Sequence, residues 1–189
     1  MVRKVYLYSY GGCCLGMMMD HLFNCGIETN PLKDVWNGNP PEELSDDEAF
    51  IYLYGDPVLS LLSFYGQNRI GTRTFIQERA RDLEVKVFDQ VLENYAARGI
   101  DQFGFRNHIA KYSRLFEITR GRRLMLNAEG IWSNADKLKY FLETDVDVPP
   151  RQPRSNKFWV SSFCMEGLDR MYRPLNKLID ENDKFIFAS

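Results

Sequence analysis

The chain has 189 residues, of which 44% are apolar and 26% charged, with a formal net charge of −2. That length supports a sizeable core, and a single domain over 1–189 is expected. The near-neutral charge gives no global field for duplex DNA or an anionic membrane surface, and no apolar run reaches the length of a membrane span.

Residues 4–9 (KVYLYS) are rich in β-favouring side chains and predict a strand. Gly11 and Gly12 break it. Residues 15–23 carry Leu, three Met and Phe, which predicts a buried helix ending at Cys25-Gly26. Residues 29–45 are polar and hold Pro31, Pro40 and Pro41, so a loop is expected. Residues 49–54 (AFIYLY) are continuously apolar, as in a parallel strand buried on both faces. Asp56 is placed to cap a helix over 58–65, with Pro57 in its first turn and Gly66 at its end.

Residues 67–74 form a second polar loop with Arg69 and Arg73. Residues 75–97 show helical spacing at Leu83, Val87, Val91 and Leu92. Residues 101–112 are aromatic-rich and helical towards their end, and 120–123 are a basic turn. Residues 124–126 begin a third strand, and Ser133 is the expected cap of a helix through Leu142. Residues 145–155 read as a Pro/Arg-rich linker and 159–178 as a helix. A small apolar run closes the chain at 184–188. Alternating strands and helices predict a three-layer α/β fold with a short parallel sheet, P-loop-like in its opening unit.

That opening unit, 2–25, is a strand, a glycine turn and a helix. Glycine lets backbone pass close to an anion, and a helix start offers free amides and a positive dipole end. Gly11 and Gly16 have the outer glycine spacing of the nucleotide-binding loop GxxxxGK[ST]. Met17 and Met18 stand where that loop needs Lys and Ser/Thr, which argues against an ATP- or GTP-hydrolysing enzyme. The bland alternative is a strand-to-helix turn that binds nothing.

Cys13, Cys14, Cys25 and Cys164 form no CxxC pair and no zinc spacing, so free thiols in a reducing, cytoplasmic setting are expected, with no metal. The two histidines differ. His21 falls in a helix with Met17 and Met18 one turn earlier, the setting of a packed histidine. His108 lies in an aromatic segment with polar tips, where a general base for a hydroxyl acceptor would sit. Asp20 and Glu129 are the alternative bases.

Three segments in order resemble the sulfotransferase family. The first is the opening unit. There the family holds the 5′-phosphosulfate of 3′-phosphoadenosine 5′-phosphosulfate with a Lys, a Gly and two hydroxyls. Gly12 fits the glycine, Cys13 and Cys14 stand at the hydroxyls, and Tyr10 or Gly11 stands at the lysine. The second is 50–65 (FIYLYGDPVLSLLSFY), similar to the family's 3′-phosphate segment. Asp56, Pro57 and Ser63 match, and Gly55 replaces an arginine. The third is 124–142, where Glu129 fits a family glutamate.

The resemblance implies a donor site at Gly11, Gly12, Cys13, Cys14, Asp56 and Ser63. Arg69, Arg73 or Lys4 would replace the missing cations, and 151–157 (RQPRSNK) would serve as a late basic loop. It implies sulfuryl transfer from the phosphosulfate donor to a hydroxyl of a small molecule or glycan. The competing reading keeps the fold and binds a nucleotide, a phosphorylated ligand or a protein without catalysis.

Overall fold

A computed structural model describes residues 1–66, 97, 99, 101, 104–151, 162–181 and 185–188. The helix expected over most of 75–97, together with Arg69, Arg73 and positions 152–157, lies outside the described residues. Within them the chain runs β1 (Lys4–Ser9), α1 (Leu15–Asn24), β2 (Glu28–Thr29), β3 (Glu48–Tyr54), α2 (Pro57–Gly66), α3 (Phe105–Ile118), β4 (Arg123–Asn127), α4 (Ala135–Leu142), α5 (Ser162–Glu181) and β5 (Phe185–Ala188). Short 3-10 turns lie at Leu32–Asp34, Ala128–Gly130 and Trp132–Asn134.

The five strands form one sheet in the order β2-β1-β3-β4-β5. The first three pairings are parallel: the sequence predicts this for β1, β3 and β4, and the two-residue β2, which runs into the expected 29–45 loop, adds the parallel pairing at the edge. β5 corrects the expectation of a parallel sheet: it runs antiparallel to β4, so the sheet is mixed. β5 enters the sheet edge beside Leu126, at the carboxyl end of β4, and leaves it beside Arg123, so it can only run antiparallel.

The uniform apolarity of β1 and β3 conceals a second alternation. The register pairs Tyr6 with Phe50 and Tyr8 with Tyr52, and it pairs Leu7 with Ile51. Period-2 geometry therefore gives one face Tyr6, Tyr8, Phe50, Tyr52 and Tyr54, and the other Val5, Leu7, Ala49, Ile51 and Leu53. β4 extends the aliphatic face with Leu124 and Leu126. Burying a Leu or Ile side chain completely stabilises by about 1.5–3 kcal/mol, and Val5, Leu7, Ile51, Leu53, Leu124 and Leu126 are all fully buried.

Helices cover both faces. α3 lies on the aromatic side, where Tyr112 stacks on Tyr52 at 4.8 Å and on Tyr8 at 5.0 Å between ring centroids. α4 lies on the aliphatic side, with Phe141 edge-on to Phe187 at 5.5 Å. Ser133 is not the cap of α4, which begins after Asn134. Its hydroxyl donates instead to the Gly130 carbonyl at 3.2 Å, inside the preceding 3-10 turn.

α5 docks by polar ties as well as packing. The Tyr172 hydroxyl donates to Asp101 Oδ1 at 2.8 Å, and Arg106 donates to the Met171 carbonyl at 2.6 Å. Asp101 in turn caps α3, accepting from the amides of Phe105 at 3.2 Å and Arg106 at 2.8 Å. Among the described residues no helix is long and apolar enough to cross a membrane.

Candidate functional site

From β1 the chain passes through α1 to β2 on one side, then returns past β1 to β3 on the other. The winding direction reverses between β1 and β3. In open α/β sheets ligands bind outside the carboxyl ends of the strands at such a point. Here those ends are the 9–14 turn, Gly55, Asp56 and the first turn of α2.

The 9–14 turn is left-handed at Gly11 (φ 80), Gly12 (φ 67) and Cys14 (φ 61). Two glycines adopt that region freely, whereas Cys14 bears a cost of about 1–2 kcal/mol. The Gly11 amide donates to Ser9 Oγ at 3.0 Å. The amides of Leu15, Gly16 and Met17 open α1, and no acceptor for them lies among the described residues. Gly16 is exposed, and a Cβ there would meet nothing within 4 Å. The turn thus presents a row of donors and the positive end of a ten-residue helix to solvent.

The rest of the turn is closed by the protein itself. Tyr10 is fully buried, and its phenol oxygen accepts from the Gly55 amide at 2.7 Å while its hydroxyl donates to the Gly55 carbonyl. Burial holds the Tyr10 phenol well above its usual pKa, with the neighbouring Cys13 adding to the effect, so it is a neutral group. A Cβ on Gly12 would come within 2.6 Å of the Ser60 carbonyl oxygen. Gly12 is thus required by the close approach of α2. A Cβ on Gly55 would press against Cys13 Cβ at 3.1 Å and Ala128 Cβ at 3.4 Å. An arginine stem at position 55 has little space.

Cys13 turns inward: its Sγ lies 2.9 Å from Ser9 Oγ and donates to the Leu53 carbonyl at 3.5 Å. Cys14 is half-buried at the mouth of the turn. Asp56 caps α2, its Oδ1 accepting from the Leu59 amide at 3.0 Å and its Oδ2 from Asn176 at 3.3 Å. Ser63 is half-buried two turns into α2. Ser60 is fully buried. Its hydroxyl lies near enough to Tyr10 to ease ionisation of the phenol, yet it reaches hydrogen-bond geometry with no described residue.

The three candidate bases do not converge. Asp20 is exposed on α1. Glu129 is paired with Arg151, whose guanidinium also lies 5.3 Å from the Trp132 ring centre. His108 is buried between Tyr52 and the 36–38 segment. Its Nε2 donates to the Trp36 carbonyl at 2.8 Å, which leaves Nδ1 to accept from the Tyr52 hydroxyl at 3.0 Å. That pattern uses both nitrogens of the neutral ring in internal bonds.

Gly11, Gly12, Cys13, Cys14 and Asp56 therefore share one edge of the sheet, and Arg69 lies outside the described residues. From sequence Tyr10 stands only as one of two positions at the lysine of the sulfotransferase pattern, and Ser60 and Asn176 are unmarked. Tyr10 was detectable as the third member of the Tyr6-Tyr8-Tyr10 alternation, and Ser60 as the residue one turn beyond the Asp56 cap. Asn176 comes from a distant helix, and no local pattern marks it. No protein-family description matches the chain, and neither a curated protein nor a solved structure matches it.

Proposed function

We propose that the protein binds a phosphorylated small molecule of the nucleotide type at the turn between β1 and α1, and that it does so without catalysing group transfer. The observation that carries this reading is the left-handed run at Gly11, Gly12 and Cys14, opening into first-turn amides of α1 that meet no acceptor among the described residues, at the point where the sheet reverses its winding. An anion there meets several N–H donors and a helix dipole. Transfer chemistry asks for more. Sulfuryl transfer needs a cation on the developing charge and a base on the acceptor. Tyr10, one of the two residues standing where the sulfotransferase pattern has its lysine, is neutral and turned inward, and His108 is engaged on both nitrogens.

The second reading is transfer of a sulfuryl group from 3′-phosphoadenosine 5′-phosphosulfate to a hydroxyl acceptor. Asp56 and Pro57 at the start of α2, with Ser63 on the same helix, favour it. Melting in the presence of 3′,5′-adenosine bisphosphate tests binding, because a ligand that binds only the native state must raise the melting temperature. A rise is expected, and Gly16→Asp is expected to abolish it. The substitution fills open space and suits the first turn of a helix, so the protein stays folded while the anion is repelled. No rise at millimolar ligand sinks the proposal. Turnover of the phosphosulfate donor against a panel of hydroxyl acceptors would replace it with the second reading.

A further inference from the structure

The sheet ends on two unlike edges. β2 contributes only Glu28 and Thr29, a length that offers a second chain little to pair with. β5 closes the other side with Phe185, Ile186, Phe187 and Ala188. A free edge templates pairing with another chain, and natural edge strands are blunted by charge, proline, a bulge or shortness. These four residues carry no charge and no proline, and their register on β4 runs without a bulge. Among the described residues no strand pairs with the outer edge of β5.

The helix beside this edge is equally open. Phe141 of α4 packs on Phe187, whereas Tyr140 stands out from the helix. Tyr140 is 79% exposed, and Phe187 keeps 44% of its surface exposed. Clefts of about 480 and 550 Å3 adjoin Tyr140, and Phe187 lines both. The patch therefore holds an aromatic knob and the cavities to receive one. Asp136, Lys137, Arg122, Lys139, Glu143 and Asp145 rim it, three of each sign, so it has no net charge. A partner of one strong sign gains nothing from such a rim, and a second copy meets no net repulsion.

We propose that β5 and α4 form the interface of a symmetric dimer of this chain. β5 pairs antiparallel with β5 of a second copy about a two-fold axis normal to the sheet, which joins two five-stranded sheets into one. That axis keeps both copies of α4 on the same face of the joined sheet, one on either side of the β5 pair. Tyr140 of each copy then enters a cleft of the other. A two-fold interface uses one patch twice, so knob and hole must lie on the same surface, as they do here. Tyrosine suits the centre of such a contact, where a few buried aromatic side chains supply most of the affinity.

The experiment is analytical ultracentrifugation of the full chain. At about 100 μM the native chain is expected to sediment at twice the chain mass. Tyr140→Lys changes an exposed helix position and is expected to raise the dissociation constant of the dimer about tenfold or more. Phe23→Lys, at an equally exposed position on α1, is expected to leave it within about threefold. Amide exchange over 185–188 is expected to be slower in the native dimer than in Tyr140→Lys at a concentration where the variant is monomeric. A native chain that stays monomeric at about 100 μM overturns the proposal. So does a dimer undiminished by Tyr140→Lys, or a loss that follows Phe23 instead. Equally slow exchange in the native dimer and the monomeric variant would show the edge covered within one copy, and overturns it too.

Discussion

Tyr10 and Gly55 are joined by two hydrogen bonds through a single peptide residue: the Gly55 amide donates to the phenol oxygen, and the phenol donates back to the Gly55 carbonyl. The pair ties the end of β1 to the end of β3, where the sheet reverses its winding. Tyr10→Phe keeps the ring against Phe105 and removes only the oxygen. It leaves a buried donor and acceptor unpaired, at a cost of about 1–3 kcal/mol. Urea unfolding is expected to show a lower midpoint with an unchanged slope.

The two glycines flanking Cys13 and Cys14 are expected to respond in opposite directions. Gly12→Ala places a methyl within 2.6 Å of the Ser60 carbonyl oxygen at a left-handed residue, so overpacking and strain act together. A loss of about 2–4 kcal/mol is expected. Gly16→Ala meets nothing within 4 Å inside a helix and is expected to gain about 0.5–1 kcal/mol. Equal effects on the two midpoints would contradict the packing of α2 on the turn.

One turn of α3 holds the 36–38 segment by its carbonyls. His108 donates to Trp36, Lys111 to Asn37 at 2.9 Å and Gly38 at 3.1 Å, and Tyr112 to Gly38 at 2.8 Å and Trp36 at 3.2 Å. Tyr112→Phe removes the last two bonds and keeps the stack on Tyr52. A loss of about 1–2 kcal/mol is expected. Selective excitation of a variant with Trp36 as its sole tryptophan is expected to give a red-shifted emission when the bonds are removed. An unshifted spectrum would show that these bonds do not position Trp36.

Acid stability tests the paired starts of β1 and β3. Burial pushes the Glu48 carboxyl up, but the Tyr6 hydroxyl at 2.8 Å, the Ser45 bonds and the Lys4 ammonium outweigh it, and the net shift is downward from 4.5. A carboxyl whose folded pKa is depressed contributes stability that is present above its unfolded pKa. That contribution is lost as pH falls through the folded value. The native chain is expected to lose stability on acidification below about pH 4.5, and Tyr6→Phe is expected to lose less over that range. Identical slopes of stability against pH in the two proteins would rule out the Tyr6–Glu48 bond as a source.

The sequence by itself determined the elements of the sheet core. β1, β3 and β4 appear where β-favouring runs predict them, because strand preference and burial act on neighbouring residues. The Asp56-Pro57 start of α2 and the Cys25-Gly26 end of α1 were legible for the same reason: caps are local. The glycine turn was legible as a turn.

Tertiary structure alone decided what that turn can do. Whether Tyr10 faces solvent or Gly55, and whether Gly12 leaves room for an anion or for Ser60, depends on β3 and α2 arriving beside the turn from more than forty residues away. The same holds for His108, which sequence marks as a candidate base and the fold engages between Tyr52 and Trp36. The direction of β5 followed from the end of β4 at which the chain re-enters the sheet, which no composition encodes. Local propensity is set by adjacent residues, whereas the role of a polar group is set by whichever partner the packing brings to it.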